Sequence, residues 1–153
     1  MIRFITYDAD FVARMRDGGP DAYGNAPERA VSDGEGVPCR CCLRDVPAGE
    51  TYLIVAARPF SELQPYAETG PIFLCERDCD PWSGDAVPPI LTTSPDYLIK
   101  GYDGNERIVY GTGSVVSRET LSERVAELTG REEIAFVDIR SARNNCFQTR
   151  AVA

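Results

Sequence analysis

The fold class is indicated first by a stretch at residues 97–110, YLIKGYDGNERIVY. Two runs rich in aromatic and β-branched residues flank Asp103-Gly104-Asn105, and these turn residues tolerate the positive φ angles of tight hairpins. The pattern therefore predicts an antiparallel hairpin with strands at 97–102 and 106–110. We expect this hairpin to share one sheet with a strand at residues 51–57.

Further strands are predicted on both sides of the hairpin. Residues 51–57 form an uninterrupted apolar run, which is typical of a central strand buried on both faces. Residues 20–38 are rich in Gly, Pro, Asp and Glu without periodicity, so we expect a surface loop there. Shorter apolar or alternating runs predict strands at residues 2–6, 71–75, 133–140 and 146–152.

Two helices are predicted. Asp8 can cap a short helix near the amino terminus, and a stronger helical pattern covers residues 118–129. In the second helix, Thr120 and Glu123 form a possible capping box. The apolar residues expected to pack on the sheet are Leu121, Val125 and Leu128. Few helices and hairpin-connected strands predict an α+β fold with a mainly antiparallel sheet, two helices and long irregular loops.

The length and composition predict a single domain over residues 1–153. A chain of 153 residues with 43% hydrophobic residues is large enough to bury a core. The formal net charge of −8 disfavours binding to nucleic acid or to an anionic membrane surface. No apolar run approaches the roughly 20 residues that span a bilayer. Since a signal-peptide core is also absent, we expect a cytoplasmic protein whose cysteines are thiols or metal ligands.

Histidine is absent from the sequence. This absence excludes Ser-His-Asp and Cys-His catalysis, HExxH zinc proteases and every histidine-liganded metal centre. General acid–base chemistry would have to use Asp, Glu, Cys, Tyr or the single lysine, Lys100.

Four of the six cysteines form two close pairs, Cys39-x-x-Cys42 and Cys75-x-x-x-Cys79. Each pair can chelate from one turn, and two such pairs that meet would supply the four sulfur ligands of a tetrahedral zinc site. Unliganded thiols and disulfides are the alternatives that the sequence leaves open. Cys146 begins a predicted strand and is typical of a small buried hydrophobic residue.

A polar cluster near the carboxyl end is a second candidate site. Asp138 and Arg140 share one face of the predicted strand, after which the chain turns through Arg143-Asn144-Asn145. An arginine fork beside asparagine amides can bind a carboxylate or a phosphate. The alternative, which we favour, is that Asp138 pairs with Arg140 and that the asparagines build the turn.

A loop at residues 65–71 is a third candidate. Tyr66 and Glu68 lie between Pro65 and Gly70-Pro71. An aromatic residue and an acid on a proline-bounded loop can line a ligand pocket. Such a loop is more often a rigid connector between two strands.

Four segments of the sequence carry a family resemblance. They are VPCRCCL at residues 37–43, PYAETGPIF at 65–73, GYD at 101–103 and SARNNCF at 141–147. In this order they resemble the bacterial proteins of domain of unknown function family 1203, over most of the chain after residue 37. The resemblance implies no activity, because the family has no assigned function. Its members often carry histidine at the positions that match Cys41, Cys75 and Asp138, so cysteine at position 75 would preserve a zinc ligand.

Three functions are compatible with these features. We favour a small binding or accessory module that recognises a small anionic ligand or a protein partner. A four-cysteine zinc site would stabilise its fold. One alternative is a small enzyme that uses carboxylates such as Glu68 or Asp138 with arginines on an anionic small molecule. The other alternative is a redox sensor based on thiols or zinc.

Overall fold

The computed structural model describes all residues from 1 to 153 and contains two antiparallel sheets and two α-helices. The α+β class predicted from the sequence is confirmed. No helix is long and apolar enough to cross a membrane. In chain order the elements are β1 Arg3–Ile5, α1 Ala9–Arg16, β2 Glu28–Val31, β3 Thr51–Ala57, β4 Gly70–Cys75, β5 Asp96–Tyr102, β6 Ser114–Ser117, α2 Leu121–Thr129, β7 Phe136–Ser141 and β8 Phe147–Val152.

The larger sheet has five strands in the order β1-β8-β7-β5-β6. Its two faces differ in chemistry because side chains alternate along each strand. One face is apolar and carries Ile99, Val137 and Ile139, against which helix α2 packs. The predicted contact residues of α2, Leu121, Val125 and Leu128, are all buried in this layer. The opposite face carries Lys100, Asp138 and Arg140, and it positions the candidate site described below.

The smaller sheet has three strands in the order β2-β3-β4. Helix α1 packs on one of its faces with Phe11, Val12 and Met15. Strand β3 is central, as predicted, but Leu53 and Val55 are buried whereas their neighbours Ile54 and Ala56 are only half-buried. The prediction that β3 is buried on both faces is therefore wrong, because α1 covers only one face of this sheet.

Two further predictions about the sheets are wrong. Strand β3 and strand β5 lie in different sheets, since an apolar run does not encode which strands it will pair with. Residues 28–31 form edge strand β2 beside β3 instead of a surface loop. This strand is almost entirely exposed, so it lacks the apolar alternation by which strands are predicted.

The predicted hairpin at residues 97–110 forms only at its turn. The first arm is β5, but the second arm is reduced to a single bridge between Tyr102 and Ile108. The backbone N–H of Gly101 donates to the Thr112 hydroxyl oxygen at 2.9 Å, where a continuing strand would have offered a carbonyl oxygen. The partner of β5 on this edge is consequently β6.

The two predicted helix caps have different outcomes. Asp8 caps α1 as predicted, because its carboxylate accepts a hydrogen bond from Phe11 N at 2.9 Å. The capping box of Thr120 and Glu123 does not form. The Thr120 hydroxyl instead donates to the carbonyl oxygen of Ser117 at 3.3 Å, a local bond that competes with capping.

The packing of α2 on the five-stranded sheet generates a stability prediction. Leu128 is fully buried in this layer, so Leu128→Ala should lower the free energy of unfolding by about 2–5 kcal/mol through lost burial and a residual cavity. Urea unfolding followed by circular dichroism measures this loss. Glu123→Ala, at an exposed position of the same helix, should change stability far less. Equal losses for the two variants would contradict the packing described here.

Candidate metal centre and arginine-lined cavities

Four cysteine sulfurs converge on one point between α1 and the smaller sheet. The Sγ atoms of Cys39, Cys42, Cys75 and Cys79 all lie within 4.8 Å of one another. The sulfurs of Cys39 and Cys79 are 3.8 Å apart, which matches the roughly 3.8 Å edge of a tetrahedron with Zn–S bonds of about 2.3 Å. The predicted convergence of the two cysteine pairs is therefore confirmed.

The local backbone explains how the first pair reaches the second. Leu43 N donates to the carbonyl oxygen of Cys39 and closes the Cys-x-x-Cys turn. Leu43 has φ of 54°, so it adopts the left-handed conformation that glycine usually supplies in such turns. Arg40 N then donates to the carbonyl oxygen of Phe73 on β4, and this bond sets the turn beside the end of the strand at Cys75.

The hydrogen bonds around the sulfurs favour the thiolate form. The Cys39 sulfur accepts from the backbone N–H groups of Cys41 and Cys75 at 3.4 and 3.3 Å. The Cys79 sulfur accepts from the Arg16 guanidinium at 3.1 Å. Donors of this kind orient metal ligands and stabilise their negative charge.

The four thiols also shift one another's pKa values. Hydrogen bonds from the thiols of Cys42 and Cys75 lower the pKa of Cys39 to about 6. A hydrogen bond with Cys39 likewise lowers the pKa of Cys79. The pKa values of Cys42 and Cys75 are raised, above all by their hydrogen bonds with Cys39. The cluster thus loses its first protons readily, as a metal-binding thiol group must.

The residues present fit a soft, tetrahedral metal ion. Three of the four cysteines are buried and the fourth is half-buried, so protein sulfur surrounds the centre. All six cysteines of the chain are free thiols. The 3.8 Å between the Cys39 and Cys79 sulfurs far exceeds a disulfide bond of about 2.05 Å. The cluster could therefore hold a metal ion, and four-sulfur tetrahedral sites are typical of zinc or iron.

The polar face of the larger sheet contains the second candidate site. The expected ion pair between Asp138 and Arg140 is not formed. Asp138 is fully buried and is bound instead by Arg150, whose Nε and Nη2 lie 2.6 and 3.0 Å from its carboxylate oxygens. The reason is the strand register, which sets Arg150 of β8 directly opposite Asp138 of β7. Burial raises the pKa of Asp138, and the hydrogen bonds from Arg150 oppose that rise.

Arg140 lies beside this pair and is only 4% exposed. Its Nη1 is 3.1 Å from Glu68 and donates to the carbonyl oxygen of Asn145 at 3.1 Å. Its Nε and Nη2 have no hydrogen-bond partner. Arg140 lines a cavity of about 290 Å³ together with Glu68, Asn144 and Asn145. Lys100 holds the other oxygen of Glu68 at 3.3 Å.

The remaining predicted ligand residues lie outside this cavity. Arg143 is exposed and pairs with Asp96 at 2.8 Å. The Tyr66 hydroxyl is 3.0 Å from the Tyr110 hydroxyl at the surface. The structure therefore brings together Arg140, both asparagines and Glu68, but separates them from Arg143, Tyr66 and the buried Asp138.

Sequence reasoning missed Arg150 and Cys146. Arg150 lies within an otherwise ordinary strand, and its role depends on a pairing register that the sequence does not encode. Cys146 was expected to be a buried strand residue, but it is half-buried and lines the Arg140 cavity. The one feature of the sequence that could have placed Cys146 at the cavity is its position directly after Asn144-Asn145.

A family model described as a protein of unknown function, DUF1203, matches residues 36–152. The chain belongs to the DUF1203 family. The resemblance noted in the sequence is thereby confirmed, and the matched region includes the four cysteines and the Arg140 cavity. No curated protein and no solved structure matches the chain. Membership of DUF1203 therefore assigns no activity, and the functional argument depends on the site itself.

The buried Asp138–Arg150 pair generates a second stability prediction. Arg150→Met should destabilise the fold by about 3–5 kcal/mol, because it leaves the Asp138 carboxylate buried without a cation. The exposed ion pair between Arg143 and Asp96 should contribute less than about 1 kcal/mol to the free energy of unfolding, so Arg143→Met is the control. Adding Asp138→Asn to Arg150→Met should recover part of the loss in urea unfolding. Similar losses in both single variants, or no recovery, would contradict this account.

Proposed function

We propose that this protein is a small binding module that takes up an oxyanion, a carboxylate or a phosphate group, in the Arg140 cavity. The observation that carries the proposal is the pair of unpartnered nitrogens on a nearly buried guanidinium. A buried N–H without an acceptor costs about 1–3 kcal/mol. Buried polar groups of this kind are rare, and an absent ligand is one of the explanations that they require.

The geometry of Arg140 matches an oxyanion specifically. Nε and Nη2 lie on the same edge of a guanidinium, and this edge forms two parallel hydrogen bonds with a carboxylate or phosphate. Glu68 and the Asn145 carbonyl oxygen engage only Nη1, which fixes the group and leaves its two-donor edge unmatched. Asn144 and Asn145 also line this cavity, and asparagine amides are hydrogen-bond donors suited to an anion.

The composition of the cavity favours binding over catalysis. Its strongest nucleophile is Cys146, and no histidine exists to activate either this thiol or the hydroxyl of Thr69. Its carboxylate, Glu68, is held by two cations, Arg140 and Lys100. A carboxylate engaged in this way is a poor general base, so an enzyme that acts through Glu68 is the weaker alternative.

We further propose that Cys39, Cys42, Cys75 and Cys79 bind zinc as a structural ion. Four protein sulfurs complete a tetrahedral shell and leave no open position for substrate or water. The ion would join the Cys-x-x-Cys turn to the end of β4. This structural role is favoured over a redox sensor because the four ligands form a closed set.

The environment inferred for this module is the cytoplasm, where thiols stay reduced. We expect no nucleic-acid or membrane partner, because the net charge of −8 opposes both kinds of surface. The ligand is then a soluble small anion or an acidic group of a protein partner.

Titration with inorganic phosphate and with acetate tests the binding function. Phosphate, acetate or both should raise the melting temperature of the wild-type protein. Arg140→Met should weaken binding at least about 10-fold, because it removes a two-donor ionic contact. Arg143→Met is the matched control and should keep wild-type affinity.

Arg140→Lys separates the binding role from a purely structural one. It keeps the positive charge near Glu68 but removes the two-donor edge, so it should lose affinity while remaining folded. Wild-type protein that binds neither anion, or Arg140→Met protein that binds both normally, would overturn the proposed function.

Elemental analysis of protein purified without a histidine tag tests the metal. One zinc ion per chain is expected, and Cys75→Ser should lower both zinc content and melting temperature because metal binding and folding are coupled. A strong chelator should lower the melting temperature of the wild-type protein. Cys146→Ser is the control and should change none of these values. Protein that is metal-free, yet as stable with chelator as without it, would exclude a structural zinc.

A further inference from the structure

Another cavity, with a volume of about 660 Å³, lies beside the Arg140 cavity. It is a cleft between the β1–α1 junction and the segment that follows β3. We call it the Arg58 cleft. Its lining residues are Ile5, Thr6, Tyr7, Asp8, Phe11, Arg58, Pro59, Phe60, Ser61, Glu106, Phe147 and Arg150.

Arg58 is the cation in this cleft that forms no ion pair with an acidic residue of the protein. Its Nε is buried and has no hydrogen-bond partner. It belongs to none of the protein's ion pairs. Arg150, the other arginine of the cleft, is committed to Asp138 and to the carbonyl oxygen of Pro59. Of the two arginines in the cleft, Arg58 is therefore the one that no carboxylate of the protein pairs with.

The two acids of the cleft are already engaged by the protein. Asp8 accepts the capping hydrogen bond from Phe11 N. Both carboxylate oxygens of Glu106 accept from Ser61 N, at 3.0 and 3.1 Å. Neither acid forms an ion pair with Arg58, so no carboxylate of the protein occupies its guanidinium.

The walls of the cleft are aromatic. The ring of Tyr7 lies with its centroid 5.0 Å from that of Phe11 and 6.1 Å from that of Phe147. Phe60 lines the cleft as well. These rings pack directly against one another, so a further flat ring would lie against the side of this aromatic group that lines the cleft. Burial raises the pKa of Tyr7, so its hydroxyl stays protonated and remains a hydrogen-bond donor at neutral pH.

We propose that the Arg58 cleft binds an aromatic carboxylate, with the carboxylate on Arg58 and the ring against the aromatic side chains of Tyr7, Phe11 and Phe147. The volume suits this class, since ligand pockets range from about 300 to 1,000 Å³ and combine apolar walls with a few polar groups. The site is separate from the Arg140 cavity, although Pro59 and Phe147 line both. It does not depend on the proposed oxyanion function.

Calorimetric titration of Arg140→Met protein with benzoate, benzamide and acetate tests the ligand class, because this variant lacks the other proposed carboxylate site. Benzoate should bind at least about 10-fold more tightly than benzamide, which lacks the charge, and than acetate, which lacks the ring. Arg58→Met should weaken benzoate binding by about 10- to 100-fold through loss of a charged hydrogen bond. Tyr7→Phe, which removes only a hydroxyl, should leave most of the affinity and tests its donor role.

Arg140→Met is the matched control because it alters the neighbouring cavity. It should leave the tight benzoate binding of the wild-type protein unchanged, whereas Arg58→Met should leave phosphate binding unchanged. Circular dichroism of Arg58→Met checks its fold, which should be intact because Arg58 forms no ion pair. Benzoate binding lost in Arg140→Met but kept in Arg58→Met would place the ligand in the other cavity and overturn the inference. Benzamide that binds as tightly as benzoate, or absence of benzoate binding, would also overturn it.

Discussion

One buried arginine, Arg40, joins the two sheets of this protein, and the metal centre and both arginine-lined cavities border the contacts that it makes. Arg40 is 2% exposed, and its Nε donates to the carbonyl oxygen of Phe147 at 2.7 Å. Its backbone N–H donates to Phe73, and its carbonyl oxygen accepts from Tyr7 N. A single residue thus ties β4 of the smaller sheet to β8 of the larger one and to the connection between β1 and α1. Burial lowers the pKa of Arg40 to about 10, so it remains charged at neutral pH.

The position of Arg40 between two cysteines connects the metal centre to the arginine-lined cavities. Cys39 faces the sulfur cluster, while the side chain of Arg40 reaches β8 at Phe147. Phe147 in turn forms part of the wall of the Arg58 cleft and of the Arg140 cavity. A metal that fixes the Cys-x-x-Cys turn would therefore also fix the strand end on which both cavities are built. The three sites share one rigid support even though none shares its ligand groups with another.

The sequence predicted the features that depend on residues close together in the chain. It missed the features that depend on how strands pair with one another. Cysteine pairs at chelating spacing, the Asp8 cap and the apolar face of α2 each follow from short-range geometry, and the structure contains all three. Strand β2 was missed because an exposed edge strand needs no apolar alternation. The Asp138–Arg150 pair was missed because it depends on register between strands, which a single strand's residues do not determine.

Register also explains why Arg140 is incompletely paired. Asp138 lies opposite Arg150 and Ile139 opposite Thr149, so a regular ladder would set Arg140 opposite Gln148. A bulge after Ile139 shifts the pairing by one residue and sets Phe147 opposite Arg140 instead. A glutamine could have supplied an acceptor oxygen, whereas the Phe147 ring, 6.0 Å from the guanidinium carbon, supplies only its face. Since bulges often re-aim side chains beside functional sites, this irregularity gives a physical origin to the unmatched edge that a ligand would complete.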